Sequence, residues 1–227
     1  MKNILLTVLV AALALAGGCA TDRHDGCSDS PPLKKPRTYS SFDTSSGTNA
    51  PIPARSIRFM DADISQVLSL YQELSGRSLI RSPQVPVAVK ITFENATPLT
   101  RVEALQALDN VFAMQNVTMV YLGEEYVKVV PSALAASEPG PMITRPASQL
   151  PDSSSFLLYQ VKLKNRTPEE VMGALMPFAK LPNSIIGMKG SDTLILRDYS
   201  SNVRRMLQVL ETLEKTPRTN PVKPAAH

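Results

Sequence analysis

The chain has 227 residues, a formal charge of +4, two cysteines and two histidines. Two cysteines cannot build a disulfide framework or a zinc-finger pattern. The small basic excess, part of it in Lys34, Lys35, Arg37, Arg218 and Lys223 near the ends, is no nucleic-acid footprint. His24 and His227 both fall in unpatterned ends, so a metal site or a Ser-His pair lacks raw material.

The chain opens with Lys2, an apolar run from Ile4 to Ala16, and then Gly17-Gly18-Cys19. This is the tripartite layout of an export signal, too short to remain as a spanning helix. Two cuts compete. Ala14-Leu15-Ala16 fits an A-x-A site, whereas Leu15-Ala16-Gly17-Gly18-Cys19 looks like a lipobox, with Ala16 where a larger aliphatic residue is usual. The second is the leading reading: a signal peptide over 1–18 and a lipid on Cys19, which would tether a soluble chain to a membrane. By resemblance to Gram-negative lipoproteins, Ala20 and Thr21 after the cysteine, with no Asp, imply the outer membrane and a domain facing the periplasm. Cys27, in a Ser- and Pro-rich stretch, is an incidental thiol or an intermolecular disulfide partner.

Residues 19–54 are poor in aliphatic side chains and cannot bury enough apolar surface to fold, so they are predicted to be a disordered tether. The first domain is predicted over 55–131. A strand starts at Ser56. Asp63 and Gln66 cap a helix whose Ile64, Val67, Leu68, Tyr71 and Leu74 share a face, and Gly76 ends it. Ser78 to Ile80 is a short strand. Val87, Val89, Ile91 and Phe93 alternate as a longer one. Thr97-Pro98 reads as a second helix start, with Leu99, Val102, Leu105, Leu108 and Phe112 on its apolar face. Strands from Val117 to Tyr121 and Tyr126 to Val130, turning at Gly123, close a βαββαββ order.

Residues 132–155 carry Pro139, Pro141, Pro146 and Pro151 and are predicted to be a Pro/Ser-rich linker. In the second domain, 156–216, Tyr159, Val161 and Leu163 alternate as a strand. Thr167-Pro168-Glu169-Glu170 is the strongest helix start in the chain. Val171, Leu175 and Phe178 would line that helix, which Pro177 should end early. A hairpin of Ile185-Ile186 and Thr193 to Leu196, then a helix with Val203, Met206, Leu207, Leu210 and Leu213 inside, complete a KH-like βαββα order before a tail at 217–227. The fold class is α+β, two small two-layer domains in which strand faces cover helix stripes.

Chemistry-bearing motifs are thin. Asp61 with Asp63 lies at a helix start and Glu124 with Glu125 in a hairpin turn, so capping and exposure account for both pairs. Gly187-Met188-Lys189-Gly190 has the GxxG form of a nucleic-acid clamp, but it falls between strands and not between helices, which suits a hairpin turn instead. Met172, Met176 and Met206 are read as core fillers.

Together the two regions resemble the periplasmic N-terminal domains of secretins, the outer-membrane ring proteins of type II and III secretion and of type IV pilus machines. The residues that carry the resemblance to the first such domain are Arg58-Phe59-Met60-Asp61-Ala62-Asp63-Ile64-Ser65-Gln66-Val67-Leu68, Glu73-Leu74-Ser75-Gly76-Arg77-Ser78-Leu79-Ile80, and Val89-Lys90-Ile91-Thr92-Phe93 with Ala104-Leu105-Gln106-Ala107-Leu108. Phe156 to Leu163, Thr167-Pro168-Glu169-Glu170-Val171, Thr193-Leu194-Ile195-Leu196 and Val203 to Leu213 are similar to the ring-building domain that follows. The resemblance implies a non-enzymatic assembly module with no catalytic, cofactor-binding or metal residues. It further implies partners among secretion or pilus proteins, including a secretin or inner-membrane components, or copies of the chain itself. The sequence ends where a secretin would continue toward its gate, so no pore is expected of this chain alone. The alternatives are a signalling or adaptor domain like that of TonB-dependent receptors, or one fragment of a split secretin gene.

Overall fold

The computed structural model describes residues 50–188 and 190–216, all within one compact unit. Strand β1 (Arg58–Asp63) pairs antiparallel with β3 (Lys90–Glu94) and bulges between Phe59 and Ala62. Asp61 sits in the bulge at φ +55°, left-handed backbone that Asp tolerates better than most residues. Asp63 then caps α1 (Ile64–Ser75) in the reciprocal box predicted with Gln66, whose Oε1 accepts from the Asp63 N–H at 3.1 Å. The helix ends at Gly76, where φ +65° suits a residue without a Cβ.

A second sheet holds β2 (Ser78–Arg81), β5 (Tyr126–Pro131) and β4 (Val117–Leu122) in that spatial order, with β2 parallel and β4 antiparallel to β5. With α2 (Arg101–Met114), this half has the βαββαββ order read from the sequence. One apolar cluster joins Ile64, Val67 and Tyr71 of α1 to Leu108 and Phe112 of α2, to Ile91 of the small sheet, and to Val127 and Val129 of the large one. Tyr71 and Phe112 meet edge-to-face with ring centroids 5.8 Å apart, and both are fully buried. Emptying a site of the Phe112 kind costs about 3–5 kcal/mol.

Two local predictions are corrected. The strand expected from Val87 begins at Lys90. Its partner β1 ends at Asp63, opposite Lys90, and turns into α1, so the ladder stops there: the Val89 carbonyl still accepts from the Ile64 N–H at 3.2 Å, and Val87 is exposed. The second helix starts at Thr100 and not at Thr97. Thr100 has Glu103 three residues on: its side chain accepts from the Glu103 N–H, and Glu103 Oε2 accepts from the Thr100 N–H at 2.7 Å. Leu99 therefore lies outside the helix and bridges Ile52, whose N–H donates to the Leu99 carbonyl at 2.7 Å. Residues 50–54, the last of the predicted tether, thus lie against the first domain; the rest of the tether, the signal segment and the tail fall outside the described residues.

The segment read as a linker carries a short helix α3 (Ser132–Ala135), a two-residue strand β6 (Met142–Ile143) and a 3₁₀ turn at Ala147–Gln149. Its scattered apolar residues are used: Ile143 and Leu150 enter the core of the second domain. That domain has one sheet in the order β6-β7-β9-β8, with β7 (Phe156–Lys162), β8 (Ile185–Met188) and β9 (Thr193–Tyr199) antiparallel along their shared edges. Helices α4 (Pro168–Leu175) and α5 (Ser200–Lys215) cover one sheet face, burying Val171, Leu175, Leu194, Leu196, Val203 and Met206. Thr167 and Glu170 form the predicted capping box, and Pro177 turns the end of α4 into a 3₁₀ turn. Phe178 and Met176, expected in the core, are exposed because that turn rotates them off the α4 stripe.

Candidate assembly interface

Strand alternation decides what each sheet shows to the outside. In β4, Val117, Met119 and Tyr121 point into the first core, so Thr118 and Val120 face the other way. These two are nonetheless buried, because Val120, Val130, Ala135 and Ala136 pack with Phe156, Leu181 and Tyr199 of the second domain in a separate apolar cluster. The two domains are therefore joined by a dry seam.

Two hydrogen-bond clusters flank that seam. In the first, the Tyr199 hydroxyl lies 2.8 Å from Thr118 Oγ1 and 3.0 Å from Ser132 Oγ, which are 2.9 Å from each other. Burial raises the Tyr199 phenol above its ordinary value, so this triad stays neutral. In the second, Asp109 of α2, only 4% exposed, accepts from the Tyr71 hydroxyl at 2.8 Å and from Ser155 Oγ at 2.5 Å. Tyr121 Oη lies 2.7 Å from Tyr71 Oη, and Ser153 Oγ donates to Ser155 Oγ at 3.0 Å. Burial pushes Asp109 up to about 7 against the lowering effect of the two hydroxyl donors, and it holds both Tyr71 and Tyr121 above the usual phenol range. Beside them Asn110 Oδ1 accepts from the Ser154 N–H at 2.7 Å. The segment entering β7 is thus gripped by α2 of the first domain.

The rest of the second sheet is uncovered on the face away from α4 and α5. The registers set two rows across β7, β9 and β8, Gln160-Ile195-Ile186 and Lys162-Thr193-Met188, in which Ile186 and Ile195 are half-buried and Met188 is 44% exposed. Among the described residues β8 pairs only with β9, leaving its outer backbone edge open. Gly187 keeps β8 tight on α4, since a Cβ there would sit 2.8 Å from Pro168 Cβ. Of the GxxG residues, Gly187 and Met188 end β8 and Gly190, at φ +74°, lies in the turn before β9; Lys189 falls outside the described residues.

Cys19, the predicted lipid-bearing residue, lies outside the described residues, as do Cys27, His24 and His227. Asp63 pairs with Lys90 at 2.9 Å on the surface, which raises the Lys90 ammonium through that hydrogen bond, and Asp61 is held by the bulge; the two do not make a site. Glu124 and Glu125 fall in the β4–β5 turn. Among the described residues no group of three His, Cys, Asp or Glu side chains could hold a metal ion. The Asp109 cluster was missed because its parts are scattered: Asp109 sits between apolar residues of a helix, and Ser155 sits in the predicted linker.

By sequence and by fold the chain resembles the N-terminal domains of type II secretins. No protein-family model matches the chain. The secretin XcpQ of Pseudomonas aeruginosa is 25% identical over 178 residues, a match covering 75% of this chain and 25% of XcpQ. The chain therefore spans about a quarter of the length of that curated relative. The solved Klebsiella pneumoniae type II secretion outer-membrane complex of PulD, PulS and the PulC HR domain contains a chain of the same fold. That likeness has 16% identity, a TM-score of 0.55, and covers 70% of this chain and 27% of the other. The crystal structure of the N-terminal domain of XcpQ is 18% identical with a TM-score of 0.30, covering 71% of this chain and 65% of that one.

Proposed function

We propose that this chain is a non-enzymatic assembly module of the cell envelope, facing the periplasm, that packs with proteins of a secretin-based secretion or pilus apparatus or with copies of itself. One observation carries the reading: on the face of the second sheet away from its helices, half-buried Ile186 and Ile195 and exposed Met188 form an apolar patch among Gln160, Lys162 and Thr193, beside the outer edge of β8, which no described strand pairs. A partly exposed apolar patch beside an open edge offers area and backbone donors to a neighbouring domain. The similarity to XcpQ supports the same reading, and the PulD complex, which contains PulS and the PulC HR domain, suggests the kind of partner. In this reading a lipid on Cys19 holds the module at the outer membrane, and residues up to about 50 give it reach.

The test is the native mass of the processed chain over a concentration series, with cross-linking in the envelope. A mass above one chain, or cross-links to secretion or pilus proteins, that Ile195→Asp abolishes without unfolding supports the reading. A one-chain mass at every concentration and no such cross-link would count decisively against it. Mass spectrometry of the mature N-terminus tests the anchor: a lipidated Cys19 is expected, and an unmodified Gly17 start removes it.

A further inference from the structure

Among the described residues two carboxylates are buried, Asp109 and Asp198, and they are seated differently. Asp198 is fully buried, and its oxygens accept from the backbone N–H groups of Lys180, Leu181 and Tyr199 and from the Asn202 side-chain amide. Every one of those donors is an N–H, which can only give a hydrogen bond. Asp109 meets hydroxyls instead, Tyr71 on one oxygen and Ser155 on the other. A hydroxyl both donates and accepts, so this seat fits a charged carboxylate and a neutral acid alike. It also lies at a junction, because Tyr71 and Tyr121 belong to the first domain while Ser153 and Ser155 lead into β7 of the second.

Among the described residues, the causes that set the ionisation of Asp109 are its burial and the Ser155 and Tyr71 hydroxyls, with no cation among them. The titratable groups around it are Tyr71 from α1, Tyr121 from β4 and Tyr199 from β9. Arg77 lies over the Tyr121 ring, 4.9 Å from its centroid, and gives its N–H to the Gly123 carbonyl and not to Asp109. An uncompensated charge in such a place is strongly disfavoured, whereas the neutral acid keeps the same geometry.

We propose that Asp109 is a proton-operated fastening between the two domains: as the neutral acid it holds the Ser153–Ser155 segment on α2, and on ionisation it loosens that hold. The direction follows from linkage. Burial sets Asp109 at about 7 in the folded protein, above its ordinary value of 3.8, so the closed seam binds the extra proton. The stability that this group lends is fully present below about 4, and it is lost as pH rises toward and past about 7. From pH 6 to pH 8 the opening equilibrium of the seam should rise about tenfold, as a folded value near 7 requires. The proposal goes beyond the assembly reading and does not depend on it.

The test is hydrogen exchange on the full chain at pH 6 and pH 8, corrected for intrinsic exchange and read at the Ser154 amide, which Asn110 holds. Protection in the wild type should fall about tenfold, while Asp109→Asn, which fixes a neutral side chain, should show no pH-dependent loss. Equal pH dependence in the two proteins would overturn the proposal. If Asp109→Asn fails to fold, the Asp109 side-chain carboxyl resonance of the wild type decides. A titration near pH 7 accompanied by shifts of the Ser154 and Ser155 amides supports the fastening, and no titration between pH 5 and 8 rejects it.

Discussion

The two domains solve the same packing problem to different degrees. In the first, helices α1 and α2 lie against both of its sheets, and the second domain covers the outer side of β4 and the Val130 end of β5, so β4 is buried along nearly its whole length while Tyr126 and Ile80 stay exposed. In the second, the helices cover one face of a single sheet, the first domain covers the end near Phe156 and Tyr199, and the remainder stays open. In the proposed assembly reading the first domain serves as a base and the second as the face offered to a neighbour. What makes them one body is the seam, where apolar packing supplies the bulk of the hold and hydrogen bonds fix its register.

The largest effect should come from removing the packing. Phe156 is almost fully buried in the seam, and Phe156→Ala should cost about 3–5 kcal/mol. By calorimetry it should also split one unfolding transition into two, and a single transition shifted downward would mean that the seam tolerates a cavity. Tyr199→Phe should cost about 1 kcal/mol, since Thr118 and Ser132 can still bond each other, and its effect should not change between pH 5 and 8. That flat profile, against the sloped one expected around Asp109, separates a neutral cluster from an ionisable one. Smallest are the helix caps, Thr100→Ala in one domain and Thr167→Ala in the other, each about 0.5–1 kcal/mol. If the seam unites the domains, either cap variant lowers the same transition; if only its own half responds, the domains are independent.

Local signals made the elements readable. Asp63 with Gln66, Gly76, Thr167 with Glu170, and Pro177 act within a few residues, and each did in the structure what its chemistry dictates. One error was local, Thr97 losing the cap to Thr100 because Glu103 serves the latter; the other came where a partner distant in sequence decides, Val87 failing to extend β3 because β1 has already turned. The seam was illegible for the same reason. Its alanines, serines and lone tyrosine carry no period, and the prolines around Pro139 and Pro146 look like a free linker until Ile143 and Leu150 find their core. The uncovered face of the second sheet was not legible, because alternation in β9 shows Ile195 opposite Leu194 without showing that nothing covers it.

The central claim is that the two domains form one fastened body, and native-state hydrogen exchange along a denaturant series at pH 6 tests it most directly. Amides of β4 (Val117–Leu122) and β9 (Thr193–Tyr199) should open with the same free energy and the same denaturant dependence. Exchange of the β9 amides at low denaturant, while β4 stays protected at its full level, would contradict it.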